Sequence, residues 1–127
     1  MECMDTRPTN SELEILNVLW RRGPCSVRDV HEDLNEKRAT GYTTVLKQMQ
    51  IMAEKGLVTR NESNRAHIYA ASRGEVDMQR SLLEDFADRV FGGSAYKLAL
   101  HAIGTKKVSK VELAELRLLL DRLEDKR

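Results

Sequence analysis

Residues 41–58 have the pattern of a helix followed directly by a strand, and this pattern limits the folds that the chain can adopt. Val45, Met49 and Met52 recur at helical spacing and predict one buried face, with polar side chains opposite. Gly56 predicts the end of the helix, because glycine accepts the left-handed conformation that closes many helices. Set behind another helix and before a basic hairpin, such a helix is suited to enter a DNA major groove.

Two further helices are predicted before this one. Thr9 and Glu12 are spaced as a capping box, and Gly23-Pro24 predicts the end of the helix that they open. Ser26 is suited to cap a second helix, which runs to the polar segment before Gly41. The helix of residues 41–58 is therefore the third in the chain.

A two-stranded hairpin is predicted after the third helix. Residues 57–60 are extended in pattern, residues 61–64 are rich in turn formers, and residues 65–70 read as a returning strand. Three helices followed by a hairpin is the order of a winged helix-turn-helix. We therefore predict a mainly α fold with a small β-hairpin: a winged-helix DNA-binding domain over residues 1–72, followed by a helical dimerisation arm over residues 73–127.

The predicted arm carries more apolar surface than isolated helices can hide. Each large side chain that becomes buried contributes roughly 1.5–3 kcal/mol, so this surface should find a partner. An intramolecular bundle is the alternative, but a two-fold dimer would also present two third helices to one palindrome, which favours self-association. The predicted dimerisation residues are Leu82, Phe86, Val90, Phe91, Leu113, Leu116, Leu120 and Leu123.

Charge is unevenly distributed along the 127 residues, although the net charge is only +1. Residues 37–67 hold six basic and two acidic residues, a local charge of +4, whereas residues 1–36 hold four basic and eight acidic residues, a charge of −4. Clustered positive charge is what phosphate contacts require, although a solvated surface is the simpler alternative. The near-neutral total leaves a second hypothesis open, in which the winged helix binds protein and no DNA.

The outer face of the third helix supplies the candidates for base reading. Threonine methyl groups can meet a thymine methyl, lysine can reach guanine O6 or N7, and glutamine can pair with adenine. On this basis Thr43, Thr44, Lys47 and Gln50 are predicted to contact bases. The alternative is that Thr43 caps the helix and Lys47 touches phosphate alone.

Four other residues are predicted to bind the DNA backbone. Arg60 and Arg65 lie near the tip of the hairpin, where phosphate contacts would position the wing. Arg28 and Tyr42 are further phosphate candidates, at the starts of the second and third helices.

Nothing in the sequence indicates an enzyme, a metal site or a cofactor. His31, His67 and His101 are dispersed, and Cys3 and Cys25 do not have the spacing of a zinc site or a disulfide framework, so two reduced thiols are expected. No apolar run approaches the roughly 20 residues that cross a bilayer, and the acidic N-terminus lacks an apolar signal region. A cytoplasmic protein without membrane insertion is expected.

Several short motifs together resemble the penicillinase repressor (BlaI/MecI) family. The resemblance implies a homodimeric transcriptional repressor that binds a palindromic operator through the winged helix and dimerises through the arm, with a membrane sensor-protease as a partner. The motifs, in their order along the chain, are PTNSELEIL at 8–16, LW at 19–20, GP at 23–24, YTTVL at 42–46, KGLV at 55–58, RAHIY at 65–69, FGGS at 91–94 and ELAEL at 112–116.

The chain also departs from the family pattern at three places. Ile51 stands where members often carry a basic residue. His101-Ala102 occupies the place of the Asn-Phe bond that is cleaved in the β-lactam-responsive branch, and the paired C-terminal cysteines of the copper-responsive branch are absent from residues 123–127. The resemblance therefore predicts a repressor without predicting its operator or its inducing signal.

Overall fold

A computed structural model describes residues 7–63 and 65–127 and confirms the predicted fold class. Cys3 and Asn64, which belong to the predicted thiol pair and the predicted turn, lie outside the described residues. The two strands form one antiparallel sheet, in which Arg60 faces Tyr69. The elements are α1 (Asn10–Arg22), α2 (Val27–Lys37), α3 (Tyr42–Lys55), β1 (Val58–Asn61), β2 (Ile68–Ala71), α4 (Glu75–Val90), α5 (Ala95–Thr105) and α6 (Lys110–Asp125).

The predicted caps begin and end the helices where the sequence indicates. At the start of α1, the Thr9 N–H donates to Glu12 Oε1 at 2.9 Å, and the Glu12 N–H donates to Thr9 Oγ1 at 3.2 Å. Reciprocal bonds of the same kind open α2 at Ser26 and α6 at Ser109. Gly56 ends α3 with φ of 85°, in the left-handed region that favours glycine.

The winged-helix core lies between the first three helices and the hairpin. The predicted inward face of α3 is confirmed, because Val45, Met49 and Met52 are fully buried. The hairpin is joined to the segment before α2 by two backbone bonds: Cys25 N–H donates to the Tyr69 carbonyl at 3.0 Å, and Tyr69 N–H donates to the Cys25 carbonyl at 2.8 Å. These contacts fix the wing beside α2 and α3.

The described residues form two compact units, which divide between Leu82 and Leu83 within α4. The sequence predicts this boundary ten residues earlier, at residue 72. The difference arises because Met78 is buried in the winged-helix core and Leu82 packs against that core. In addition, Trp20 Nε1–H donates to the Arg73 carbonyl at 3.0 Å, so the segment after β2 is also bound to the first unit.

The second unit leaves most of its apolar side chains exposed in the single chain. Phe91 contacts Phe86 and His101, with ring centroids 5.8 Å and 5.5 Å away. No residue of α5 or α6 is fully buried. The intramolecular bundle considered above is therefore not formed within one chain. No helix of the described residues is long and apolar enough to cross a membrane.

Candidate nucleic-acid interface

The start of α3 is held by contacts from α2. His31 Nε2 lies 2.7 Å from the Thr40 carbonyl, to which it donates, so the connection between the two helices is bonded to α2. The His31 ring also meets the Tyr42 ring edge-on, with centroids 5.7 Å apart and planes at 79°. The first residue of α3 is therefore oriented by a side chain of α2.

The end of α3 is held by an ion pair with α1. Lys55 Nζ lies 2.8 Å from Glu12 Oε2, and Glu12 is 5% exposed. Burial on its own would raise the pKa of Glu12, but hydrogen bonds from Lys55 and Thr9 and the charge of Lys55 outweigh it and hold that pKa below its usual value. Both ends of α3 are thus fixed to the helices behind it.

The outer face of α3 is a continuous polar surface. Thr43, Thr44, Lys47 and Gln50, the four predicted base readers, are all exposed on it. Within the described ranges, none of these four side chains is joined to another residue by a hydrogen bond or an ion pair. Their polar groups are therefore available to a ligand that approaches α3.

A groove of about 860 Å³ runs beside α3, between the start of α2 and the wing. It brings together five of the eight predicted DNA-binding residues. These five come from α2, α3, β1 and the loop between β1 and β2, and the wing consists of the two strands with this loop. Thr43, Thr44 and Lys47 are not part of its lining and lie on the adjoining outer face of α3. The residues that line the groove are Ser26, Val27, Arg28, Tyr42, Leu46, Gln50, Arg60, Arg65, Ala66, His67 and Tyr69.

Arg60 is held on the wing by two partners. Its Nη2 lies 2.6 Å from Glu62 Oε2, and its guanidinium donates to the hydroxyl of the buried Tyr69. These contacts, first the bond to Tyr69 and then the charge of Glu62, raise the pKa of Arg60. Arg60 also borders a smaller depression beside Gln50, so it lies where the wing meets the outer face of α3.

The structure modifies the charge argument, because half of the predicted basic cluster is neutralised internally. Lys55 pairs with Glu12, Arg38 pairs with Glu14 at 2.6 Å, and Arg60 pairs with Glu62. The other three cations of the cluster are Lys37, Lys47 and Arg65. Among the described residues, no carboxylate lies within ion-pair distance of these three or of Arg28 at the start of α2.

Sequence reasoning missed two features of the groove. His67 was considered as a metal ligand alone, yet it lines the groove with Arg65. No local pattern signals this position, because Arg65 and Ala66 form a bend and the returning strand begins at Ile68, not at residue 65 as the sequence predicts. Ser26 was interpreted as a cap, but it also brings the N-terminus of α2, with its partial positive charge, to the groove.

The arrangement is suited to binding a polyanion and not to covalent chemistry. The cations and the helix N-terminus surround an open groove, next to a polar helix face that can meet base edges. Within residues 7–63 and 65–127, no three histidine, cysteine, aspartate or glutamate side chains converge to hold a metal ion. Cys25 is buried, and this burial raises the pKa of its thiol, so it is not an activated nucleophile.

Comparison with known proteins agrees with this geometry. A family model described as penicillinase repressor matches residues 8–122. The transcriptional regulator BlaI of Mycobacterium tuberculosis is 35% identical over 121 residues, which cover 94% of this chain and 86% of that protein. The methicillin resistance regulatory protein MecI is 23% identical in Mammaliicoccus sciuri and 22% identical in Staphylococcus aureus, in each case over 90% of this chain and 93% of the relative.

Proposed function

Because the chain belongs to the penicillinase repressor family of DNA-binding transcriptional repressors, we propose that it binds a palindromic operator as a homodimer and leaves it in response to a signal. The observation that carries the proposal is the convergence of Arg28, Gln50 and Arg65 on one groove beside the exposed face of α3. α3 enters the major groove, and the wing follows the adjoining backbone.

The proposed contacts fall into two sets. Thr43, Thr44, Lys47 and Gln50 meet base edges, since their side chains are exposed and their polar groups are not bonded to any of the described residues. The backbone set is Arg28, Tyr42, Arg60 and Arg65, with His67 as an addition from the structure. Phosphate contacts of this kind fix the register of the protein on DNA without reading sequence.

The homodimer is proposed to form through the second unit. In one chain Phe86, Val90, Leu120 and Leu123 are exposed, whereas Phe91, Leu113 and Leu116 are half-buried. A second copy would cover the exposed side chains, and a two-fold axis would match the symmetry of a palindrome. Leu82 differs from the other predicted dimerisation residues, because it packs against the winged-helix core.

The resemblance implies that a membrane sensor-protease releases the repressor by cleavage. The structure of the chain at His101-Ala102, the matching bond, makes such cleavage difficult. This bond lies inside α5, and the Thr105 hydroxyl donates to the His101 carbonyl at 2.7 Å. Proteolysis of a folded segment proceeds through its locally opened state. Cleavage at this bond would therefore require α5 to unfold first. A transcriptional repressor acts where it meets DNA, and we propose a cytoplasmic location for this chain.

The proposed function is tested by selecting the DNA fragments that the full-length protein retains from the genome of its source. The expected result is a palindrome whose half-sites are separated by a whole number of helical turns, because each half-site meets one α3. Failure to bind any duplex even at low salt would contradict the proposal. That outcome would favour the alternative function, in which the winged helix binds protein.

Neutralising Glu62 is expected to strengthen operator binding. Glu62 pairs with Arg60 at 2.6 Å and also places a negative charge on the surface that approaches phosphate. Glu62→Gln should raise operator affinity about two- to fivefold per wing, a factor typical of one exposed charge pair, and the gain should shrink at high salt. The measurement is fluorescence anisotropy on one duplex at two salt concentrations.

The control for this prediction is Glu84→Gln, which removes the same charge from an exposed position of the second unit. Equal gains in affinity for the two variants would mean that the change in net charge causes them. The prediction that the Arg60–Glu62 pair specifically limits operator binding would then be wrong.

A further inference from the structure

Ile51 is an apolar side chain that stands on the outer face of α3, where its neighbours are polar. It is 45% exposed, and Thr44 and Lys47 lie on the same side of the helix, seven and four residues earlier. In the part of the chain that the structure describes, Ile51 belongs neither to the core cluster nor to the apolar side chains packed against it. The folding of the domain therefore gives no reason for isoleucine at this position.

The chemistry of isoleucine limits what it can recognise on DNA. It has no hydrogen-bond donor or acceptor, and the one apolar group on the base edges of the major groove is the 5-methyl group of thymine. A β-branched side chain in a helix is held in one strongly preferred rotamer. The γ-methyl group of Ile51 is thus already ordered, because its position depends on χ1 alone, so a contact of this group with thymine would cost little side-chain entropy.

The position of Ile51 along α3 separates its contact from those of the first turn. Ile51 follows Thr43 by eight residues, which corresponds to about 12 Å along the helix axis. Base pairs are spaced about 3.4 Å apart, so this distance equals roughly three to four base-pair steps for a helix lying along the groove. Ile51 would meet a different base pair from Thr43, with Lys47 between them.

We propose that Ile51 determines specificity by contacting the 5-methyl group of one thymine in each operator half-site. The inference rests on the proposed function, since it requires α3 to lie in a major groove. It identifies a feature of the operator: at this position thymine is preferred to cytosine, and 5-methylcytosine replaces thymine better than cytosine does. A basic residue at position 51 would instead reach a phosphate or a guanine edge.

The test replaces thymidine by deoxyuridine in the DNA. This removes the 5-methyl group of the base and keeps every hydrogen-bonding atom. Each thymine of a selected duplex is replaced in turn, in both half-sites, and the affinity of the full-length protein is measured. One replacement is expected to weaken binding about fourfold per half-site, the effect of exposing one CH₂-sized group, or about fifteenfold for both half-sites.

Two variants assign the effect to the side chain. Ile51→Val keeps both γ-carbons and should retain the sensitivity at that thymine, whereas Ile51→Ala should bind the thymine and uracil duplexes equally. Because Ile51 is exposed, Ile51→Ala should melt at the wild-type temperature, and this measurement excludes unfolding as the cause.

The outcomes distinguish an error in the thymine contact from an error in the proposed function. If a selected duplex is bound tightly but every uracil replacement affects wild type and Ile51→Ala equally, the thymine contact is wrong while the repressor function stands. If no duplex is bound at low salt, both are wrong. A sensitivity that disappears at one thymine per half-site in Ile51→Ala supports the inference.

Discussion

Replacing Leu116 and Leu120 together with aspartate is expected to give a monomer that binds the operator about 100- to 10,000-fold more weakly than the wild type. The two side chains lie four residues apart on one face of α6, a helix in which no residue is fully buried within its own chain. Aspartate on that face would have to be desolvated in a dimer. The affinity falls because a monomer loses the second, effectively intramolecular binding event. Light scattering measures the mass, and anisotropy measures the affinity.

Leu118→Asp is the matched control. Leu118 and Leu120 are both 59% exposed, but two residues correspond to about 200° of helix rotation, so Leu118 faces away. This variant should remain dimeric and bind the operator normally. A double variant that still has the mass of a dimer would place the interface elsewhere.

Breaking the Glu12–Lys55 pair is expected to have the second large effect, on stability. Lys55→Met leaves a buried carboxylate without its cation. It should lower the free energy of unfolding by about 2–3 kcal/mol at pH 7, less than the roughly 3–5 kcal/mol for fully buried pairs, since the Lys55 side chain is 33% exposed. Because the folded pKa of Glu12 is lowered, the pair stabilises the protein above the unfolded pKa of about 4.3. This stabilisation disappears as the pH falls through the folded pKa.

Urea unfolding between pH 3 and pH 7, a range chosen to bracket about 4.3, measures this prediction. The difference between wild type and Lys55→Met should shrink towards the acid end. Adding Glu12→Gln to Lys55→Met should recover part of the loss, because glutamine can keep the capping bond without a charge. Arg38→Met removes the exposed Arg38–Glu14 pair and should cost under about 1 kcal/mol. Equal losses in Arg38→Met and Lys55→Met would contradict the role given to burial.

The local elements of the fold were predictable because their signals are short-range. The bonds of Thr9 with Glu12 and the positive φ of Gly56 depend on residues within one helical turn, so the sequence alone indicates them. The inward face of α3 follows from periodicity for the same reason. The boundary within α4 was not predictable, because it depends on Met78 reaching a core whose remaining space only the folded domain defines.

The candidate site was predictable in its residue types but not in its pairings. The polar face of α3 and the basic residues of the wing could be read from pattern and charge. The pairing of Lys55 with Glu12, 43 residues apart, could not, and it removes one cation from the predicted cluster. The groove that joins Arg28 to the wing likewise depends on the backbone bonds between Cys25 and Tyr69, which no local pattern reveals.

The central claim, that the outer face of α3 reads operator sequence, is tested most directly by Lys47→Ala. The measurement is the ratio of affinities for the selected operator and for a random duplex at one fixed salt concentration, because phosphate contacts change with salt. Lys106→Ala, which removes the same charge from the second unit, is the control. We predict that the ratio falls about fivefold or more per half-site in Lys47→Ala and is unchanged in Lys106→Ala. An unchanged ratio in Lys47→Ala would contradict the claim.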